Sequence, residues 1–225
     1  MNDPMSDAQL ILASRSPRRV ELLRAAGYDF DIDPADINED RVPPGLSPRE
    51  LAVYLATEKA RVVAGRHPGS IVLGADTIVA VGEELFGKAA TPDAARAMLT
   101  ALAGKQQEVI TGVAIFGRRM SPNVAAASAM RTPASAAVAA ESAAAARAVV
   151  SVVSMTPMAP AQLNSYIASG AWRGKAGAYG IQDHDPSNDP FVRIVSGDYT
   201  NVVGLPMDAV REMLAAVGIH PTAIR

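Results

Sequence analysis

The stretch Leu10-Ile11-Leu12-Ala13-Ser14-Arg15-Ser16-Pro17-Arg18-Arg19-Val20-Glu21-Leu22-Leu23 decides how this chain is read. Its first four residues are a short apolar run, the pattern of a buried strand. The run stops at Ser14, and a helix is expected next. Ser16 is a good N-cap, Pro17 suits the first helical position, and Gly27 suits the C-terminal stop. A strand feeding directly into a helix is the opening unit of an α/β sheet.

The alternation continues outward. Residues 28–32 read as a second strand, followed by an acidic loop from Asp33 to Asp40. Ser47-Pro48-Arg49-Glu50 is a capping box that opens a helix to about Ala64. Ile71–Val81 is a long β-branched strand, turned by Gly82-Glu83-Glu84. Thr91-Pro92-Asp93 caps a helix that Gly104 closes, and Val109–Phe116 is another strand. A short helix over Pro160–Ala168 precedes a glycine-rich loop at 174–180. Phe191–Val195 and Tyr199–Val203 read as a hairpin around Ser196-Gly197-Asp198, and a last helix runs from about Pro206 to Val217. The expected architecture is one domain with a mixed α/β sheet covered by helices. Residues 122–147 stand apart: half are alanine, and few side chains are bulky. Such a segment buries little area and reads as a flexible insertion or a weak surface helix.

Composition narrows the function. The 225 residues carry 21 Lys+Arg against 23 Asp+Glu, a net charge of −2. A duplex-DNA binder with a broad basic footprint is therefore disfavoured, whereas one small positive pocket is not. With no cysteine, thiolate nucleophiles, disulfides and Cys-based metal sites are excluded. The three histidines are scattered. No apolar run reaches the length of a membrane span, and the polar, acidic start does not resemble a signal peptide. A cytoplasmic protein is the expectation.

Several residues are out of place for a core. Ser14, Ser16, Arg18 and Arg19 surround a helix N-terminus, where free N–H groups already attract an anion. Cations normally avoid that end, so Arg18 and Arg19 make most sense with a polyanion between them and the dipole. The alternative is a pair of solvated arginines reaching Asp29 or Asp31. Lys59 falls on the apolar stripe of Leu51, Leu55 and Val62, either snorkelling or holding a ligand. Asp76 interrupts an apolar strand and needs a cation, a metal or donors, unless it forms a structural ion pair. Lys88 follows Phe86-Gly87, and Gln182 ends the glycine loop, where its amide could read a base edge or tie down the loop. Together these are the parts of a site for a metal-chelated polyphosphate.

The same residues fall in blocks. Ser14 to Leu23, Glu58-Lys59-Ala60, Gly74-Ala75-Asp76-Thr77, Gly87-Lys88, Ile110-Thr111-Gly112-Val113, Lys175 to Gln182 and Asn201 to Pro206 resemble the signature blocks of the Maf family, in family order. These are nucleoside triphosphate pyrophosphatases also described as septum-formation inhibitors. The resemblance implies an elongated mixed sheet flanked by helices, with two lobes around a deep cleft, similar to the inosine-triphosphate pyrophosphatases. It implies a nucleoside triphosphate as substrate and hydrolysis to the monophosphate and pyrophosphate with a divalent cation, Mg²⁺ or Mn²⁺. On its pattern, Asp76 is the catalytic base or a metal ligand, with Glu39 as a second ligand. Ser14, Arg18, Arg19, Lys59 and Lys88 hold the phosphates, and Arg18, Thr77 and Gln182 set base preference. Arginine after the proline, with Gly-Ala-Tyr-Gly-Ile-Gln later, resembles the dTTP/UTP branch more than the sister branch that prefers 7-methyl-GTP.

Three positions depart from that pattern. Asn38 replaces a carboxylate of the acidic loop, leaving Glu39, Asp36 or Asp40 to compensate. Ala89 replaces the usual proline after Gly-Lys, and Asp183 the usual glycine after Ile-Gln. Rival readings are a non-catalytic nucleotide-binding regulator of cell division and a sugar-phosphate enzyme indifferent to the base. Oligomeric state is open, a homodimer included.

Overall fold

Ile71–Val81 (β3) is the spine of the molecule, as its unbroken run of β-branched and small residues predicts. The computed structural model describes residues 9–39, 41–117, 143–183 and 191–222. Around β3 they form β1 (Leu10–Leu12), α1 (Pro17–Ala25), β2 (Asp31–Ile32), α2 (Pro48–Arg66), β4 (Glu84–Phe86), α3 (Pro92–Leu102), β5 (Gln106–Phe116), β6 (Ala143–Met155), α4 (Pro160–Ser169), β7 (Val192–Ser196), α5 (Tyr199–Val203) and α6 (Met207–Ala216). The seven strands form one mixed sheet in the order β2-β1-β3-β5-β6-β7, with β4 added on β3. β1 pairs in parallel with β2 and β3, and the remaining pairs are antiparallel.

One edge of β3 is shared by two short strands. β1 pairs with Ile71 to Leu73, and β4 pairs with Val79 to Val81. Between them Gly74 to Ile78 have no strand partner on that side, while their other side is fully paired to β5. The sheet therefore opens at Asp76 and Thr77.

The two faces of β3 are covered differently. Even-numbered residues face α2, whose capping box forms as expected: Ser47 Oγ accepts from the Glu50 N–H, and the Glu50 side chain reaches back to the Ser47 N–H. The buried face of α2 is Ala52, Leu55, Ala56, Lys59, Ala60 and Val63. Leu51 and Val62, expected on that stripe, are only partly buried. The reason is close approach. A Cβ on Gly74 would lie 2.2 Å from the Ala56 carbonyl oxygen, and one on Gly112 would lie 2.1 Å from that of Ala52. Small residues let this helix lie directly on the strands, so the larger aliphatics flank the contact.

The odd-numbered face carries two separate cores. Leu73 and Ala75 pack with Leu23, Leu205, Val210 and Leu214 beneath α1 and α6. Val79 packs with Phe86, Leu99, Leu102, Trp172 and Tyr179 beneath α3 and α4. Thr77 lies between them, at the opening.

Two expectations are corrected. Tyr199–Val203 is a helix, not the second strand of a hairpin. Asp198 caps it, accepting from the Thr200 and Asn201 N–H groups, and that local capping outweighs the β-branched composition. In addition, Ala143 to Arg147, assigned from composition to the insertion, open β6. Pairing to β5 opposite Val113 to Phe116 holds these alanines in strand form. Residues 122–142 of that segment lie outside the described residues. Among the described residues, no helix is long and apolar enough to cross a membrane.

Candidate active site

The opening in the sheet is the floor of a cleft of about 580 Å³. Ser14, Arg18, Arg19, Glu39, Lys59, Asp76, Thr77, Lys88 and Gln182 all line it, although they come from segments far apart in the chain. Seven cationic side chains border the cleft against three carboxylates. In a chain of net charge −2 that is a strong local concentration of positive charge.

On the α2 side, Asp76 is buried in β3 and meets Lys59, whose Nζ lies 2.5 Å from Asp76 Oδ1. Lys59 is thus neither snorkelling nor solvated. The same ammonium lies 2.7 Å from Glu39 Oε1. Burial pushes the Glu39 pKa up, but the hydrogen bond and charge of Lys59 outweigh it and hold the carboxyl below its ordinary range. Glu39 sits at the end of the acidic loop, which is anchored at its start. Asp33 takes two hydrogen bonds from the Arg66 guanidinium, at 2.9 and 2.8 Å, and one contact from His67 Nε2 at 2.7 Å. Asp36 also lines the cleft; Asp40 lies outside the described residues. Of the three carboxylates proposed to compensate for Asn38, Glu39 is the one on Lys59.

On the opposite side, α1 brings its N-terminus to the cleft. Ser16 is the N-cap with Pro17 behind it, as expected, but the Ser16 side chain makes no capping bond and no acid occupies the first turn. Instead, the Ser16 N–H donates to Ser14 Oγ. Arg18 and Arg19 do not go to Asp29 or Asp31 and have different tasks. Arg18 donates to the Gly174 carbonyl at 3.0 Å, tying α1 to the glycine loop. Arg19 is buried and fully engaged: Nε reaches Gly204 O, Nη1 reaches Ser14 Oγ and Ala75 O, and Nη2 reaches Thr77 Oγ1. Burial lowers the pKa of both guanidiniums, with little effect on their charge at neutral pH. Arg19 holds the cleft together from behind, a role the sequence did not suggest.

The third wall is the glycine loop. The Gly177 N–H donates to Gly87 O, and Lys88 bridges to Ala176, so the loop and the Lys88 strand end are fixed together. Burial lowers the Lys88 pKa, the Glu39 charge opposing it. Gln182 sits at the exposed rim. Its neighbour Asp183 is not loose acid beside the cleft: it pairs with Lys175 and accepts from the Tyr166 hydroxyl at 2.7 Å. Lys175, Arg173 and Arg15 also line the cleft and were not singled out beforehand. Lys175 stood inside a quoted motif, so its charge was the available signal.

Fold and cleft define the class: an α/β protein whose sheet opens onto a cationic, carboxylate-bearing cleft. A family model described as Maf-like protein matches residues 9–217, and the chain belongs to the Maf family. It is 39% identical over 213 residues to a dTTP/UTP pyrophosphatase of Caulobacter vibrioides, covering 94% of this chain and 97% of that protein. A dTTP/UTP pyrophosphatase of Anaeromyxobacter dehalogenans is 41% identical over 210 residues, covering 93% and 94%. Among solved structures, a nucleoside-triphosphatase / dITP/XTP pyrophosphatase of Mycobacterium abscessus matches at 14% identity and TM-score 0.38, covering 93% of this chain and 96% of that one. That likeness is too loose to bear on the site.

Proposed function

We propose that this chain is a nucleoside triphosphate pyrophosphatase that hydrolyses dTTP and UTP to the monophosphate and pyrophosphate, acting as a single Maf-like domain that carries its alanine-rich segment as an insertion. The observation that carries the reading is the convergence, at the gap in β3, of a carboxylate pair on Lys59 with a wall of cations. The names of the relatives at 39% and 41% identity support the substrate and reaction.

In the reaction, the oxygen of a water attacks the α-phosphorus, the bond from that phosphorus to the α–β bridging oxygen breaks, and pyrophosphate leaves. Asp76 accepts the water proton. Lys59 occupies its Oδ1 and keeps the carboxylate ionised and oriented. Lys88 and Arg18 meet the negative charge on the departing phosphates, and the buried cleft makes each such contact stronger than in water. Ser14 adds a hydroxyl: its oxygen already accepts from Ser16 N–H and Arg19, so its own proton is free for a phosphate oxygen.

A divalent cation fits the donor set. Asp76 and Glu39 converge on one ammonium, and Mg²⁺ is commonly held by one or two carboxylates plus substrate phosphates. No group of three or more acidic or imidazole side chains stands ready for a metal among the described residues. Asp76 and Glu39 would therefore hold Mg²⁺ or Mn²⁺ together with the substrate. When bound, the cation supplies charge neutralisation on the phosphates.

The test is incubation with dTTP, UTP, 7-methyl-GTP and ATP in Mg²⁺ or Mn²⁺, with analysis of the released phosphate species. Pyrophosphate from dTTP and UTP is expected. Release of orthophosphate would sink the stated reaction, and tight binding without turnover would make the chain a nucleotide-binding regulator.

A further inference from the structure

Thr111 and Asn201 belong to sequence blocks that the proposed chemistry leaves unused, yet both are completely buried polar residues within reach of the cleft floor. A chain of hydrogen bonds runs through them. Arg19 Nη2 lies 3.0 Å from Thr77 Oγ1, Thr77 Oγ1 lies 3.0 Å from Thr111 Oγ1, and Thr111 Oγ1 lies 3.2 Å from the Asn201 carbonyl oxygen.

The direction of every proton in this chain follows from donor and acceptor counting. A guanidinium only donates and a carbonyl only accepts, while a hydroxyl has one proton and two lone pairs. Thr111 must spend its proton on Asn201 O. The contact between the two threonines therefore requires Thr77 to donate. Thr77 then has its proton turned away from the cleft and one lone pair taken by Arg19. Its second lone pair is what it can offer a ligand.

Other features keep this arrangement in place. Asn201 is held by its Nδ2 donating to Val109 O at 3.0 Å and to Ser151 Oγ at 2.9 Å. Thr111 is β-branched and wholly enclosed, so its rotamer is stiff. At Gly204 a Cβ would lie 3.5 Å from Thr77 Oγ1, and its absence leaves that oxygen open. Ser14, on the same guanidinium, has the opposite arrangement, with its acceptor sites filled and its proton free.

We infer that Thr111 is a positioning residue that makes the Thr77 hydroxyl a hydrogen-bond acceptor in the cleft, selecting a substrate that presents a donor there. This inference rests on the proposed function. An ionised phosphate has no proton to give, so Thr77 does not read the phosphates. The donors common to dTTP and UTP are the ring N3–H and the sugar 3′-hydroxyl. Cytosine has an unprotonated N3 and would place acceptor against acceptor.

The experiment uses Thr111→Val, Thr111→Ser and Thr77→Val in the full chain, with kcat and KM measured for UTP and CTP. In Thr111→Val the Thr77 proton loses its partner and is free to turn into the cleft. KM for UTP is expected to rise roughly three- to tenfold with kcat nearly constant. The UTP-over-CTP ratio of kcat/KM should fall by a similar factor, and Thr111→Ser should recover most of the loss. In a Thr77→Val background the Thr111→Val change should have no further effect. If the ratio holds but the KM penalty disappears with 3′-deoxy-UTP, the donor is the sugar hydroxyl, and the role of Thr111 stands. The inference is overturned if folded Thr111→Val matches the parent in KM for UTP. It is equally overturned if Thr111→Ser is as impaired as Thr111→Val, or if the two valine changes are additive. Dissociation constants for UTP bearing a non-hydrolysable α–β bridge read the same effect in protein that turns nothing over, which separates this inference from the proposed reaction.

Discussion

The two faces of β3 meet the cleft with different chemistry. Toward α2, Asp76 and Glu39 share the Lys59 ammonium, a charged cluster in which every partner is ionised. Toward α1 and α5, Arg19 spends its donors on two hydroxyls and two backbone carbonyls, a web with one cation and no carboxylate. Consecutive residues of a strand point to opposite faces, so Asp76 and Thr77 put both kinds of site within one ligand's reach. The contrast suggests a division of labour. The α2 face moves a proton and manages charge, which governs kcat. The opposite face orients the substrate, which governs KM and discrimination.

The division is easiest to break at Asp76. Asp76→Asn keeps shape and removes the base, and turnover of dTTP should fall at least a hundredfold, with KM changed much less. Steady-state kinetics check this; unchanged kcat would take the base away from this face. The next effect concerns the support of that face. Gly112→Ala would set a Cβ 2.1 Å from the Ala52 carbonyl oxygen, in backbone that cannot rotate aside. A cost of about 1–3 kcal/mol is expected as α2 is pushed off the sheet, visible as a lowered Tm. Because Lys59 rides on α2, kcat should drop as well. An unaltered melting curve would mean that α2 is not held by this close contact.

How much of this was legible in the sequence follows the same split. Asp76 and Lys59 were visible because each breaks an apolar pattern, and burial of a charge demands a partner. The strand-to-helix start was visible for a similar reason, since proline and serine mark helix ends chemically. Arg19 was recognised as significant, but its task was not, because whether a guanidinium faces a ligand or the backbone behind it depends on where Ala75 and Gly204 lie. Thr111 gave no signal at all: a threonine in a strand is ordinary, and only its register opposite Thr77 gives it meaning. The helix at Tyr199–Val203 was hidden because valine and threonine suggest a strand, whereas the deciding feature is one capping carboxylate on Asp198. The start of β6 was hidden because alanine has no strand preference of its own. Its pairing to β5 comes from distant sequence.

Smaller changes sharpen the contrast at the rim. Asp183 neutralises Lys175 beside Arg18, which carries a departure from the family pattern into the binding wall. Asp183→Asn keeps the side-chain size and removes one negative charge near a polyanionic substrate. KM for UTP should fall roughly two- to fivefold at low salt, and the gain should shrink as ionic strength rises. A change in kcat with constant KM would place Asp183 on the chemical side instead.

The smallest expected effect is a shift in pH dependence at Lys88, and it tests whether a cation of the binding wall can be told apart from the acid pair. Burial lowers the Lys88 pKa, so the side chain loses its charge at a lower pH than a free lysine as the pH rises. Binding that relies on that charge is complete below the lowered pKa and fades above it. Glu39 has the opposite sign: its pKa is lowered by Lys59, so its charge is complete in the neutral range and lost only as the pH falls below the ordinary carboxylate range. The alkaline rise in KM therefore belongs to Lys88 and the acid limb to the carboxylates. Lys88→Arg, whose guanidinium keeps its proton far above any working pH, should move the alkaline rise to higher pH and leave the acid limb in place. An acid limb that moves with it would mean that Lys88 acts through Glu39 rather than on the phosphates.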